Sequence, residues 1–175
     1  MDNQSIIENG SIIFRQSMRR LVTGVTIVTV PVGDGMTGFT ASSFTSVSLD
    51  PPLVLVCVSN NSRSLQHIKN SQKIAIHILG NEQSVVAKNF ARSDVDKSKI
   101  CEWALSAMGN PILESYLTVF ECLIHDIYQI GDKSIVIGRV INIKSMEHDI
   151  DPLVYYQGKM FSIPNLSNLC GDIKL

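Results

Sequence analysis

The sequence predicts a mainly β fold, a mostly antiparallel barrel with flanking helices, on three observations. Short runs rich in β-branched and aromatic residues recur along the chain, several of them alternating apolar and polar positions as a half-buried strand does. Turn residues separate neighbouring runs, Pro31, Gly33, Asp34 and Gly35 in one place and Gly131 and Asp132 in another, which marks antiparallel returns. Regular strand–helix alternation, internal repeats and heptads are all lacking, so a doubly wound parallel sheet fits poorly. With 175 residues and 45% hydrophobic content, the chain is sized for one domain with a substantial core. We expect a single domain over 1–175, with about 1–10 and 165–175 as peripheral arms.

The elements follow in order. After the polar arm, Ser11 stands where an N-cap would, Phe14, Met18, Leu21 and Val22 keep helical spacing, and Gly24 is placed to end the helix. This helix is expected to cover one side of the sheet. Residues 25–30 read as a strand and 36–41 as its antiparallel return. Residues 53–58 form an apolar strand, Ser62 caps a short helix containing Leu65 and Ile68, and residues 73–79 (KIAIHIL) alternate like a strand. Gly80 and Asn81 open a further helix that sets Val86 and Phe90 one turn apart, and 91–99 is polar enough to predict an exposed connection. Residues 117–130 and 134–143 make a long hairpin about Gly131 and Asp132, and residues 164–175 are expected to be loosely held.

Charge and composition narrow the function. The formal net charge is −1, with no run of Lys or Arg, so the electrostatic footprint of a nucleic-acid binder is missing and an oligonucleotide-binding barrel lacks its basic groove. The N-terminal residues carry acids instead of a basic start and a long apolar run, which predicts neither export nor membrane insertion. Cys57, Cys101, Cys122 and Cys170 are scattered without a C-x-x-C pair, so reduced thiols in the cytoplasm are expected. His67, His77, His125 and His148 form no metal-ligand spacing, and no metal site is predicted. His77 and His125 fall in strands, where a hydrogen-bonded structural histidine is the simpler reading. Nucleophile-elbow, P-loop and G-x-G-x-x-G patterns are all absent, and no catalytic acid, base or nucleophile is predicted.

One stretch carries chemistry. Six hydroxyl side chains, Thr40, Ser42, Ser43, Thr45, Ser46 and Ser48, crowd nine positions before Pro51 and Pro52 and the apolar run that follows. Small hydroxyl residues bond readily to nearby backbone and let a flat ligand lie against the main chain, although a polar turn between strands has the same composition. Ser62 stands at a helix start, where free N–H groups and the helix dipole favour an anion and Arg63 adds a charge-assisted donor; an ordinary N-cap has the same sequence.

Several pieces in order carry a resemblance: RLVTGVTIVT over 20–29, the T-x-S-S-F-x-S-V-S-L-D-P-P-L-V block over 40–54, Asn89, Phe90 and Ala91 at a helix end, Gly131 and Asp132, Gly138, and PLVYYQG over 152–158. From about residue 14 to 163 the chain resembles the short-chain flavin reductases, the NAD(P)H:flavin oxidoreductase components of two-component flavin monooxygenases. The resemblance implies an antiparallel split β-barrel of the FMN-binding type. It implies FMN or FAD as flavin, NADH or NADPH as hydride donor, a homodimer with the flavin cleft near the subunit boundary, and a separate monooxygenase component that takes the reduced flavin. Thr40, Ala41, Ser42, Ser43 and Phe44 would line the isoalloxazine and ribityl chain, Ser46 and Val47 would add main-chain contacts, and Asn61, Ser62 and Arg63 would hold phosphate. Phe90 resembles the family's aromatic against the flavin, or docks its own helix. Two departures fall on the nicotinamide side: Lys133, which could still attract a dinucleotide's pyrophosphate as a point charge, stands where the family has a histidine, and Met160 follows Gly158 and Lys159 where the family often has an aromatic. These departures motivate the alternative of an FMN-binding module that stores, carries or senses flavin without efficient nicotinamide turnover.

Overall fold

Alternating strands and local turns dictate most of the architecture. The computed structural model describes residues 3–146 and 150–163, and side chains in its first helix from residue 10 onward. His148, Cys170 and the terminal segment 164–175 lie outside the described residues. In chain order the elements are α1 (Asn3–Met18), β1 (Thr23–Gly24), β2 (Thr26–Val32), β3 (Gly35–Ala41), β4 (Thr45–Leu49), β5 (Pro52–Ser59), α2 (Arg63–Ser71) and β6 (Lys73–Ile78). Then come α3 (Ser84–Ala91), β7 (Trp103–Leu105), β8 (Pro111–Leu113), β9 (Thr118–Ile130), β10 (Lys133–Ser145), β11 (Leu153–Tyr156) and β12 (Lys159–Ser162).

Seven strands form one antiparallel sheet in the order β3-β2-β6-β9-β10-β5-β4. The sheet curls but does not close: β3 and β4, consecutive in sequence, are its two free edges, and only residues 42–44 cross the split between them. The hydroxyl-rich stretch is therefore partly a loop and partly the edge strand β4. The 13-residue strands β9 and β10 bend through register shifts at Ile137/Gly138 and Val140/Asn142. Gly138 is needed there, because a Cβ would lie 2.9 Å from that of Cys122.

The inward residues of the sheet, among them Val28, Val30, Val56, Ile74, Ile76, Cys122 and Val136, make the barrel core, with Leu65 and Ile68 of α2 packed into it. Each such side chain contributes about 1.5–3 kcal/mol on burial. A second cluster outside the barrel joins Val25, Ile27, Leu79 and Leu153 to Ala87 and Phe90 of α3. His77 ties three strands together: its Nδ1 lies 3.2 Å from the Ile27 carbonyl of β2, and its Nε2 accepts from the Leu113 amide of β8 at 3.2 Å. Burial pushes its pKa down to about 4, so the ring is a neutral structural member.

Several expectations need correction. Helix α1 begins at Asn3, so Ser11 lies inside it; Gly10 costs only about 1 kcal/mol in a helix interior and does not stop it. It ends at Met18, and Gly24 belongs to β1, which pairs with β11. It does not cover the sheet: Phe14 and Met18, with Leu21 and Val22 beyond it, are all exposed, as are Ile12 and Ile13. The connection after α3 is not uniformly exposed, because Lys97 is only 7% accessible. The hairpins β7–β8 and β11–β12 were not anticipated. Their strands are three or four residues long, too short for a period to register, although Gln157 and Gly158 at positive φ make the second a tight turn.

Candidate functional site

The start of α2 is fixed from two sides. Asn60, just beyond β5, takes the Asp132 carbonyl on its backbone amide (3.1 Å), donates from Nδ2 to the Gly131 carbonyl (3.0 Å) and accepts from Ser134 Oγ (2.7 Å). The long hairpin's turn thus holds the segment that precedes the helix. Ser62 is the N-cap, its Oγ accepting from the Ser64 amide at 3.2 Å, as its position predicts. Arg63 follows, and its Nη2 donates to the Ser93 carbonyl at 2.7 Å, reaching across to the connection after α3.

Between these parts lies a cleft of about 750 Å³. One wall is the start of α2 (Asn61, Ser62, Arg63, Ser64 and His67), a second is β3 from Met36 to Phe39, and the third runs from Phe90 to Lys97. Phe90 is 1% exposed and packs against Gly38, where a Cβ would fall 3.0 Å from its Cε1 and 2.4 Å from the Val28 carbonyl oxygen. Phe90 therefore docks α3 on β3 while bordering the cleft. Arg92 and Asp94 form a two-point ion pair (3.1 and 2.7 Å) at the rim, and the Arg92 hydrogen bond draws the Asp94 carboxyl down to about 2. Arg63, Arg92 and Lys97 against Asp94 and Asp96 leave this cleft one positive charge in excess.

A smaller pocket of about 200 Å³ is lined by Val25, Thr40, Ala41, Ser42, Ala91, Tyr155 and Met160. Ala91 lines both cavities, so they adjoin at the end of α3, beside β3. As an edge strand, β3 keeps part of its backbone donors and acceptors outside the ladder, available to a ligand laid along it. Thr40 spends its hydroxyl on the Ala87 carbonyl at 2.5 Å, which ties β3 to α3.

The expected site residues thus divide. Asn61, Ser62, Arg63 and Phe90 line the large cleft; Thr40, Ala41 and Ser42 line the small pocket. Ser43 and Phe44 secure the crossing of the split: Ser43 Oγ accepts from the Cys57 amide at 2.9 Å, and Phe44 packs on the core with its ring 5.4 Å from that of Phe120. Ser46 and Val47 stand on the opposite edge strand, where a register irregularity accompanies Val47. Lys133 opens β10 opposite Ser59, lies 3.8 Å from the Asp132 carboxylate and lines neither cavity. Sequence reasoning missed Arg92 and Lys97, whose places in the cleft follow from tertiary packing without a local signal, and His67, whose position one turn after Arg63 on the same helix could have found it. Among the described residues, no cluster of three or more His, Cys, Asp or Glu side chains could hold a metal ion.

The chain and its open seven-stranded barrel are matched by known proteins. The flavin reductase like domain is recognised over residues 18–164. The chain belongs to this family. It is 37% identical to an NADH:FMN oxidoreductase of Rhodococcus qingshengii over 85% of this chain and 79% of that protein. It is 34% identical to HsaB, the reductase subunit of a flavin-dependent monooxygenase of Rhodococcus jostii, over 86% and 76% of the two chains. Among solved structures, the NADH:FAD oxidoreductase SgcE6 of Streptomyces globisporus, in complex with NAD and FAD fragments, superposes with a TM-score of 0.83 at 33% identity. That match covers 89% of this chain and 94% of SgcE6.

Proposed function

We propose that this chain reduces FMN or FAD with NADH or NADPH and passes the reduced flavin to a separate monooxygenase component. The observation that carries this reading is the pair of cavities adjoining at Ala91, polar and cationic at the α2 end and largely apolar at the β11–β12 end. The donor set fits a flavin nucleotide. Asn61, the capped start of α2 and Arg63 would hold its phosphate, because helix N–H groups and a guanidinium both favour an anion. Residues 40–44 would border the ring and ribityl chain, and Ser46 and Val47 would offer main-chain groups from across the split. Tyr155 and Met160 give the small pocket an apolar mouth suited to a flat nicotinamide ring, the thioether of Met160 serving where the family often has an aromatic.

Bound flavin supplies the two-electron chemistry, so the protein needs no acid, base or nucleophile of its own. Its residues bind, orient the rings and exclude water. We further propose a homodimer, supported by the exposed apolar residues of α1, by Val47 and Leu49 on the edge strand β4, and by Tyr128 and Ile130 near the end of the long hairpin. Lys133 stands among the latter and would assist a dinucleotide through charge alone. No described helix is long and apolar enough to cross a membrane, and Cys57, Cys101 and Cys122 are free, which supports a cytoplasmic place. The second reading, a flavin-binding module without efficient nicotinamide turnover, is favoured by Lys133 lining neither cavity. Anaerobic stopped-flow mixing with flavin and each nicotinamide separates them: rapid bleaching of the flavin band is expected, and flavin binding without bleaching by either nicotinamide would establish the module instead.

A further inference from the structure

Lys97 is the charged group that the proposed chemistry leaves without a task. It opens a short 3-10 turn (Lys97–Lys99) in a connection whose composition predicts exposure, yet it is 7% accessible. The turn does not depend on its side chain: Asp96 Oδ1 accepts from both the Ser98 amide (3.2 Å) and Ser98 Oγ (2.7 Å), and Trp103 Nε1 donates to the Ser98 carbonyl at 3.1 Å. The ammonium is directed elsewhere. It donates to the carbonyl of Asn89 at 2.8 Å and to the carbonyl of Arg92, and it stands 5.8 Å from the centroid of the Phe90 ring. Those carbonyls belong to the last turn and C-cap of α3, the end where a cation is favoured by the helix dipole.

We propose that Lys97 is a positioning residue of the flavin site, its ammonium holding the last turn of α3, and with it Phe90 and Ala91, where the two cavities adjoin. This rests on the flavin reading above. Filling the space alone would be served as well by an apolar side chain of similar length, without the cost of desolvating a charge. Desolvation lowers the lysine's pKa; Asp94 in its own connection opposes that shift, while Arg92 and Arg63 add to it. The α3 carbonyls and the Phe90 face offset part of that desolvation. Acting through α3, Lys97 would serve the ring-binding end as much as the phosphate end.

The test compares Lys97→Met, Lys97→Arg and wild type in fluorescence titrations with FMN and with riboflavin, alongside the emission of Trp103 in flavin-free protein. Trp103 is the chain's single tryptophan and is bonded to the turn itself, so it reports whether the turn survives. Lys97→Met should weaken FMN and riboflavin by the same factor, about tenfold, a loss of about 1.4 kcal/mol, with Trp103 emission unchanged. Lys97→Arg should restore most of the affinity for both. Unchanged binding of both flavins by Lys97→Met would overturn the proposal. So would a loss confined to FMN, which would make Lys97 a phosphate ligand. Should Lys97→Met fail to fold, Lys97→Ala, which likewise removes every donor to the α3 carbonyls, takes its place with the same outcomes. A wild-type protein that binds neither flavin would refute the flavin reading itself, before any variant is measured.

Discussion

The two polar walls of the large cleft face one another and are built in opposite ways. The start of α2 is local in its cap: Ser62 caps its own helix and Arg63 is the helix's first residue, with only the preceding Asn60 tied to the long hairpin's turn. The wall after α3 is assembled at a distance, through Arg63 reaching Ser93, Lys97 folding back on Asn89 and Arg92, and Phe90 seated on Gly38 of another strand. A wall capped within its own helix is less exposed to changes elsewhere in the fold than one built almost wholly from long-range contacts, which inherits every disturbance of the sheet beneath it. Substitutions should therefore separate the walls, and perturbing the shared sheet should affect both.

The largest effect is expected from the shared support. The neutral His77 ring has a pKa of about 4 in the fold against 6.5 in the unfolded chain. As pH falls below 6.5 the unfolded chain binds the proton first, so stability declines down to pH 4, by about 3 kcal/mol in all. Buried Glu121, held by Ser106, Asn110 and Asn142 with its pKa lowered by those hydrogen bonds against desolvation, adds a further loss below pH 4.5. Denaturant melts across this range should show the decline, and His77→Gln should flatten it above pH 4.5.

Next in size is Gly38→Ala, which drives a methyl group against the Val28 carbonyl and the Phe90 ring. A cost of about 2 kcal/mol is expected in unfolding experiments, with a matching loss of flavin affinity because α3 must move. Smaller still is Ser62→Ala on the local wall. Losing the cap should cost about 1 kcal/mol and weaken FMN while leaving riboflavin nearly unaffected. An equal loss for both flavins would mean that the α2 start positions the ring rather than the phosphate.

The same contrast explains what could be read from the chain. The hairpins β2–β3 and β9–β10 and the cap at Ser62 were legible, because alternation, turn residues and capping act over a few neighbours. Lys97 was not, since a lysine in a polar run signals exposure until distant carbonyls are brought to it. The hydroxyl block reads as one local run, but only Thr40 and Ser42 of its hydroxyl residues border the small pocket, its residues fall on two edges of an open barrel, and only the topology shows that Thr40 and Ser46 lie across a split. The exposed apolar face of α1 obeys helical spacing that could equally have been buried in the sheet; spacing tells which residues share a face, not what that face meets.

The central claim, that a flavin lies with its phosphate against the start of α2, is tested most directly by titrating wild type and Arg63→Ala with FMN and riboflavin under identical conditions. Removing the guanidinium should weaken FMN by about tenfold or more, the scale of one charge-assisted hydrogen bond, and riboflavin much less. Equal weakening of the two ligands, or none of either, would contradict the placement.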